Sequence, residues 1–220
     1  MKQGELPFPN NWGGRRKRAG RKPNGKNAGV SHHVRPILKA RFPVHVTMKL
    51  KAGLPSLRRS GAHIWLLRAF SASNARGRIR IAHYSIQSNH LHLLVEADDR
   101  EMLSRGVQGL AIRIACGLNK WWKRKGKIFA DRFHSRLLKT PREVRYAIRY
   151  VLMNAKHHGV PLDSIDPFSS TKEFDGWKEA QRTRPKMQKG LKPPRLRCVL
   201  PPKTWLLLKG WRKGGPLLIE

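Results

Sequence analysis

The stretch Asn89-His90-Leu91-His92-Leu93-Leu94-Val95-Glu96 constrains the fold more than any other part of the chain. Leu91, Leu93 and Val95 alternate with His90, His92 and Glu96, the period-2 pattern of a β-strand with two unlike faces. One face must be buried against a core. The other carries two imidazoles about 7 Å apart along the strand. That arrangement suits two ligands sharing one cation, and equally two histidines on a solvated sheet face. The rest of the chain decides between them.

Upstream, Val44, Val46, Met48 and Leu50 alternate with His45, Thr47, Lys49 and Lys51, which predicts a first strand broken by Gly53 and Pro55. Ser56 to about Ala72 reads as a helix, and Arg78 to Ile86 as a second strand. Gln87-Ser88-Asn89 is a short turn that makes a hairpin of the second strand and the histidine strand. Asp98-Asp99-Arg100-Glu101 opens a long helix with apolar Leu103, Val107, Leu110, Ile114, Leu118 and Trp121. Gly106, Gly109 and Gly117 weaken that helix or admit another backbone against it. Asp131 to Lys139 reads as a fourth strand. Thr140-Pro141-Arg142-Glu143 then combines a capping threonine, proline at the first helical position and glutamate at the third. The helix it starts buries Val144, Ala147, Ile148, Val151, Leu152 and Ala155 and is expected to stop at Gly159. The order strand, helix, strand, strand, helix, strand, helix predicts an α+β domain. Its antiparallel sheet has two helices on one face and the last helix free to cover the other.

Charge sets the class of partner. The 220 residues hold 47 Lys and Arg against 13 Asp and Glu, a net +34. Such a field binds polyanions through phosphate contacts that release counterions. No apolar run reaches the roughly 18–20 residues that span a bilayer. Cys116 and Cys198 are far apart and suggest no disulfide framework. The expectation is a cytoplasmic, nucleoid-associated protein without a membrane partner, acting as a monomer or homodimer. Residues 1–42 read as a basic arm, 43–170 as the domain and 171–220 as a basic, Pro-rich tail with a docking helix near Trp205–Trp211. Within the arm, Arg15, Arg16, Lys17, Arg18, Arg21 and Lys22 resemble an AT-hook, or serve as a tail gripping any phosphate backbone. Lys49, Lys123, Arg124, Lys125 and Arg136 are further DNA-binding candidates. Trp121 and Trp122, beside the cations, suit base stacking or simply seal the edge of the core.

On the last helix Tyr146, Tyr150 and Asn154 recur every four residues, on one ridge largely opposite the apolar stripe. A tyrosine and an amide one turn apart can meet the histidine pair. The amide oxygen then completes a mixed N/N/O site for Mg2+ or Mn2+ with positions open to phosphate oxygens. The plainer alternative has the tyrosines capping the core and Asn154 in the fraying end, and Tyr146 fits that alternative best.

Asn89-His90-Leu91-His92-Leu93-Leu94-Val95, followed by Arg149-Tyr150-Val151-Leu152-Met153-Asn154-Ala155-Lys156-His157-His158-Gly159, resembles the single-tyrosine HUH transposases, and most closely the REP-associated tyrosine transposases. The resemblance spans roughly Val44 to Ser170. It implies an RRM-like or ferredoxin-like HUH endonuclease core with the catalytic tyrosine on a late helix. It further implies His90, His92 and Asn154 as metal ligands, and Tyr150 as a nucleophile that forms a 5′-phosphotyrosine on single-stranded or hairpin DNA and leaves a free 3′-OH. The chain departs from the family in having Ala155 where Pro often follows the Asn. Tyr146 stands where two-tyrosine HUH enzymes carry a second tyrosine, so it stays open as an alternative nucleophile. The rival expectations are a catalytically silent, domesticated DNA- or RNA-binding module, and a metal hydrolase that uses water.

Overall fold

A computed structural model describes residues 36–59, 61–154, 166–178 and 197–218. The chain divides into two units, Met1–Ser31 and His32–Glu220, and all described residues belong to the second. Its elements run β1 (Val44–Lys49), α1 (Ala62–Ala75), β2 (Arg80–Ile86), β3 (His90–Glu96), α2 (Arg100–Trp121), β4 (His134–Leu137), α3 (Pro141–Leu152), α4 (Trp205–Leu208) and a 3-10 helix (Gly210–Gly214). The four strands form one antiparallel sheet in the order β2-β3-β1-β4. This is the ferredoxin-like βαββαβ arrangement that the sequence predicts.

Alternation along β1 and β3 divides the sheet into two faces. Val44, Val46, Met48, Leu91, Leu93 and Val95 are fully or nearly buried and form the first apolar cluster with Leu66 and Phe70 of α1 and Val107, Leu110 and Ile114 of α2. The opposite face, with Leu94 and Ala82, takes Val144, Ile148 and Val151 of α3 in a second cluster. So α1 and α2 lie on one face and α3 on the other. A bulge between Ile81 and His83 lets Ile81 and Tyr84 both serve the first cluster, while Ala82 joins the second.

Local chemistry accounts for the helix starts. Asp99 caps α2 by accepting from the Met102 amide. Thr140 and Glu143 form the reciprocal capping box of α3, with Pro141 in the first turn. α1 starts later than expected, at Ala62, because Gly61 reverses the chain at φ 91° and leaves room for the Trp121 indole against its Cα. Gly106 and Gly117 do admit neighbours, but these are the side chains of Ile79 and Trp65 rather than a second backbone. β4 is shorter than the predicted 131–139 span and pairs only through His134–Leu137.

Two segments beyond α3 are packed into the same body. Phe168 and Ser170 bond along β2 through Ile86 N–H to Phe168 O and Ser170 N–H to Tyr84 O, at 2.8 and 3.0 Å, covering its free edge. Arg58 holds that segment through a two-pronged ion pair to buried Asp166 at 2.8 and 3.0 Å. Phe174, Trp177, Leu206, Leu207, Trp211 and Leu217 belong to the second cluster. These residues, within the stretch from 171 onward read as a tail, are packed in the core. The low apolar content of that stretch had hidden a few large, widely spaced anchors. Among the described residues no helix is long and apolar enough to cross a membrane.

Candidate active site

The face of the sheet toward α3 is polar where β1, β3 and β4 meet. The register sets Thr47 against His92, Lys49 against His90, His134 against Thr47 and Arg136 against His45. The His90 and His92 rings lie 4.7 Å apart, centre to centre, and almost perpendicular at 88°. Their rings thus lean together across a strand repeat of about 7 Å. The α3 helix brings Tyr150 edge-on to His92 at 5.1 Å and to His45 at 5.8 Å.

Tyr146, one turn earlier, stays on the outer surface, where Arg142 lies over its ring at 5.6 Å and approaches its hydroxyl at 3.4 Å. The two tyrosines that the sequence left as alternatives are thus separated by their neighbours. α3 runs to Leu152 with its cap at Met153, and the expected stop at Gly159 lies outside the described residues. Asn154 is again helical, one residue beyond the break at Met153. It is 1% exposed, and its Nδ2 has no hydrogen-bond partner among the described residues.

The β1 side chains complete the cluster. His45 Nε2 is 3.1 Å from His92 Nδ1, and Thr47 Oγ1 is 3.2 Å from the same nitrogen. His90 Nδ1 is 2.8 Å from Asn89 Oδ1. Burial, then the neighbouring His134 and Arg136, lowers the His45 pKa to about 4, so this imidazole is neutral near pH 7. The sequence placed His45 and Thr47 on one face of β1 but gave them no role. Their approach to His92 depends on strand order and register, which one strand does not encode.

No protein-family model matches the sequence, and no curated protein matches it. Among solved structures, the chain is similar to a REP-associated tyrosine transposase bound to a REP hairpin. The TM-score is 0.53 at 18% identity, over 65% of this chain and 84% of that one. The chain has the fold of that transposase.

On this face the chemistry of His90 and His92 fits a borderline divalent cation, and their rings converge. The unpartnered Asn154 Nδ2 is a donor, so in that amide only Oδ1 could serve as a ligand. Among the described residues no group of three or more His, Cys, Asp or Glu could hold a metal.

The other candidates are spread out. Lys49 and Arg136 flank the histidine face, and Arg136 also lies 3.6 Å from Glu143. Arg124 turns back to Asn119 Oδ1 at 3.2 Å, in the turn where Lys123 takes φ 49° and Gly126 φ 102°. Trp122 packs on the first cluster, while Trp121 covers Gly61 and stays half exposed. Arg15, Arg16, Lys17, Arg18, Arg21 and Lys22 lie outside the described residues.

Proposed function

We propose that this protein is a REP-associated type of tyrosine transposase that cuts and rejoins single-stranded DNA next to hairpins, with Tyr150 as nucleophile and His90, His92 and Asn154 as ligands of Mg2+ or Mn2+. The observation that carries the proposal is the Tyr150 ring against His92, with His90 beside it, on the fold shared with a hairpin-bound transposase. A net charge of +34 suits a DNA substrate.

In the reaction the Tyr150 phenolic oxygen attacks the phosphorus in line, and the bond from phosphorus to the 3′-oxygen breaks. The phenol loses its proton and the departing 3′-oxygen gains one. The products are a 5′-phosphotyrosine and a free 3′-OH. One ester replaces another, so rejoining needs no external energy source. The bound cation would polarise the phosphate as a Lewis acid. Positive charge from Lys49 and Arg136 flanks the same face and favours the approach of a phosphate. The helix end fixes the attacking ring, and such positioning supplies much of the acceleration of a tethered nucleophile.

The test is a labelled single-stranded hairpin DNA incubated with the full chain and Mn2+, followed by denaturing gel analysis. Wild type and Tyr146→Phe should give an SDS-stable protein–DNA adduct. Tyr150→Phe should bind DNA, yet form no adduct and release no free 3′-OH. Reversal of the two variants would transfer the role to Tyr146. Cleavage without any adduct would identify water as the nucleophile, and binding without cleavage would leave a DNA-binding module.

A further inference from the structure

Both imidazoles of the histidine pair are tied by the same ring nitrogen. His90 Nδ1 meets Asn89 Oδ1 at 2.8 Å, and His92 Nδ1 meets both His45 Nε2 and Thr47 Oγ1, at 3.1 and 3.2 Å. An amide oxygen only accepts, so His90 Nδ1 carries the proton and Nε2 the lone pair. For His92, an Nδ1–H can be shared between His45 Nε2 and the Thr47 hydroxyl oxygen, again leaving the lone pair on Nε2. A metal-ligating histidine needs this pattern, with one nitrogen donating to a fixed acceptor and the other facing the cation. The acceptors come from two places, the hairpin turn before β3 and the neighbouring strand β1, so they brace the two rings independently.

We propose that Asn89, His45 and Thr47 are positioning residues that hold His90 and His92 in the Nδ1-protonated tautomer, with both Nε2 atoms presented to one divalent cation. The inference rests on the reading of this face as a cation site. It adds a function for three side chains that do not touch the reacting atoms. Thr47 is directly opposite His92 in the β1–β3 register, and His45 is its diagonal neighbour, which is why two β1 side chains reach one ring.

The first readout is the tautomer itself, taken without metal or DNA. Long-range 1H–15N correlation on histidine-labelled full-length protein near pH 7.5 should show His90 and His92 protonated at Nδ1, with assignments from His90→Gln and His92→Gln. The second readout is Mn2+ affinity, titrated by the loss of free-ion electron paramagnetic resonance signal. Asn89→Leu and the double variant His45→Leu/Thr47→Val should each weaken Mn2+ binding by about 10–100-fold. Asn89→Asp and His45→Gln restore an acceptor and should bind within a fewfold of wild type. The proposal is overturned if His92 is protonated at Nε2 in the wild type, or if the acceptor-less variants bind Mn2+ as tightly as the wild type. Should the double variant not fold, Asn89→Leu against Asn89→Asp makes the same comparison at His90, and equal affinities there overturn it. A wild type that binds no Mn2+, or binds it unchanged by His90→Ala, overturns the cation-site reading instead. The two failures are thereby distinguishable.

Discussion

At the scale of single residues, histidines in this domain serve different ends according to what surrounds them. His90 lies at the open end of β3 beside Lys49, with its Nδ1 already engaged by Asn89. Its replacement by alanine removes a proposed ligand without opening either apolar cluster. His90→Ala should therefore abolish adduct formation, as should EDTA on the wild type, while hairpin DNA affinity in a gel-shift assay stays within a fewfold. In the proposed reading the many lysines and arginines elsewhere would carry the phosphate contacts. His83 is structural. It is buried edge-on to Phe174 at 5.4 Å, and burial lowers its pKa to about 4, against a small opposing pull from Asp175. The native state then holds fewer protons than the unfolded chain between those values. His83 costs no stability above about pH 6.5, and the protein loses stability as the pH falls from there toward 4. The loss from this residue is at most roughly 3 kcal/mol. Urea midpoints measured from pH 7.5 to 4.5 should fall for the wild type and fall less steeply for His83→Gln.

At the scale of elements, α3 matters because it sets the Tyr150 ring against His92, and its start is fixed by local chemistry. Glu143 accepts from the Lys139 and Thr140 amides at 2.7 and 3.1 Å, while Thr140 Oγ1 accepts from the Glu143 amide at 3.2 Å. Thr140→Ala should cost about 1 kcal/mol in urea unfolding. Adduct formation should fall with it less than in Tyr150→Phe, because the oxygen that attacks is kept. The α2 helix is limited from its side instead. A Cβ on Gly106 would run into Ile79, so Gly106→Val should destabilise the fold by about 1–3 kcal/mol through overpacking. Gly109 faces only the flexible Arg113 guanidinium at 3.0 Å, so Gly109→Ala should be tolerated.

At the scale of the whole molecule, the second apolar cluster is completed by the return of the chain after α3, which adds Leu206, Leu207, Trp211 and Leu217 to it. Buried Glu96 receives that return. Its carboxylate accepts from the Lys203 and Thr204 amides and from the Thr204 hydroxyl, at 2.7 to 3.1 Å. Arg145 of α3 clasps the far end by donating to the carbonyls of Gly215 and Pro216. Truncation after Lys178 would strip Leu206, Leu207, Trp211 and Leu217 from α3 and leave the Glu96 carboxylate buried without its donors. The truncated chain should aggregate or melt far below the full-length protein in a thermal scan. Deletion of residues 1–35 removes Arg15 to Lys22 but none of the described core. It should preserve the melting temperature. If the arm touches DNA, it should also flatten the slope of log K against log salt by about 0.7–0.9 for each phosphate the arm had neutralised.

The amino-acid sequence by itself determined the order of elements, the core face of β1 and β3, the capping box of α3, the shared face of His90 and His92 and the ridge of Tyr146, Tyr150 and Asn154. These are set by period-2 and period-3.6 alternation and by cap residues, all of which are local. Only the tertiary structure decided which tyrosine meets the histidines, because two residues four apart differ by just 40° on a helix and their neighbours come from another element. Strand pairing brought His45 and Thr47 to His92, a relation between residues 47 and 45 positions apart that no local pattern carries. The place of the C-terminal stretch was hidden for the same reason. Its anchors are sparse in a basic, Pro-rich background, and they gain meaning only against the apolar side of α3 and the carboxylate of Glu96.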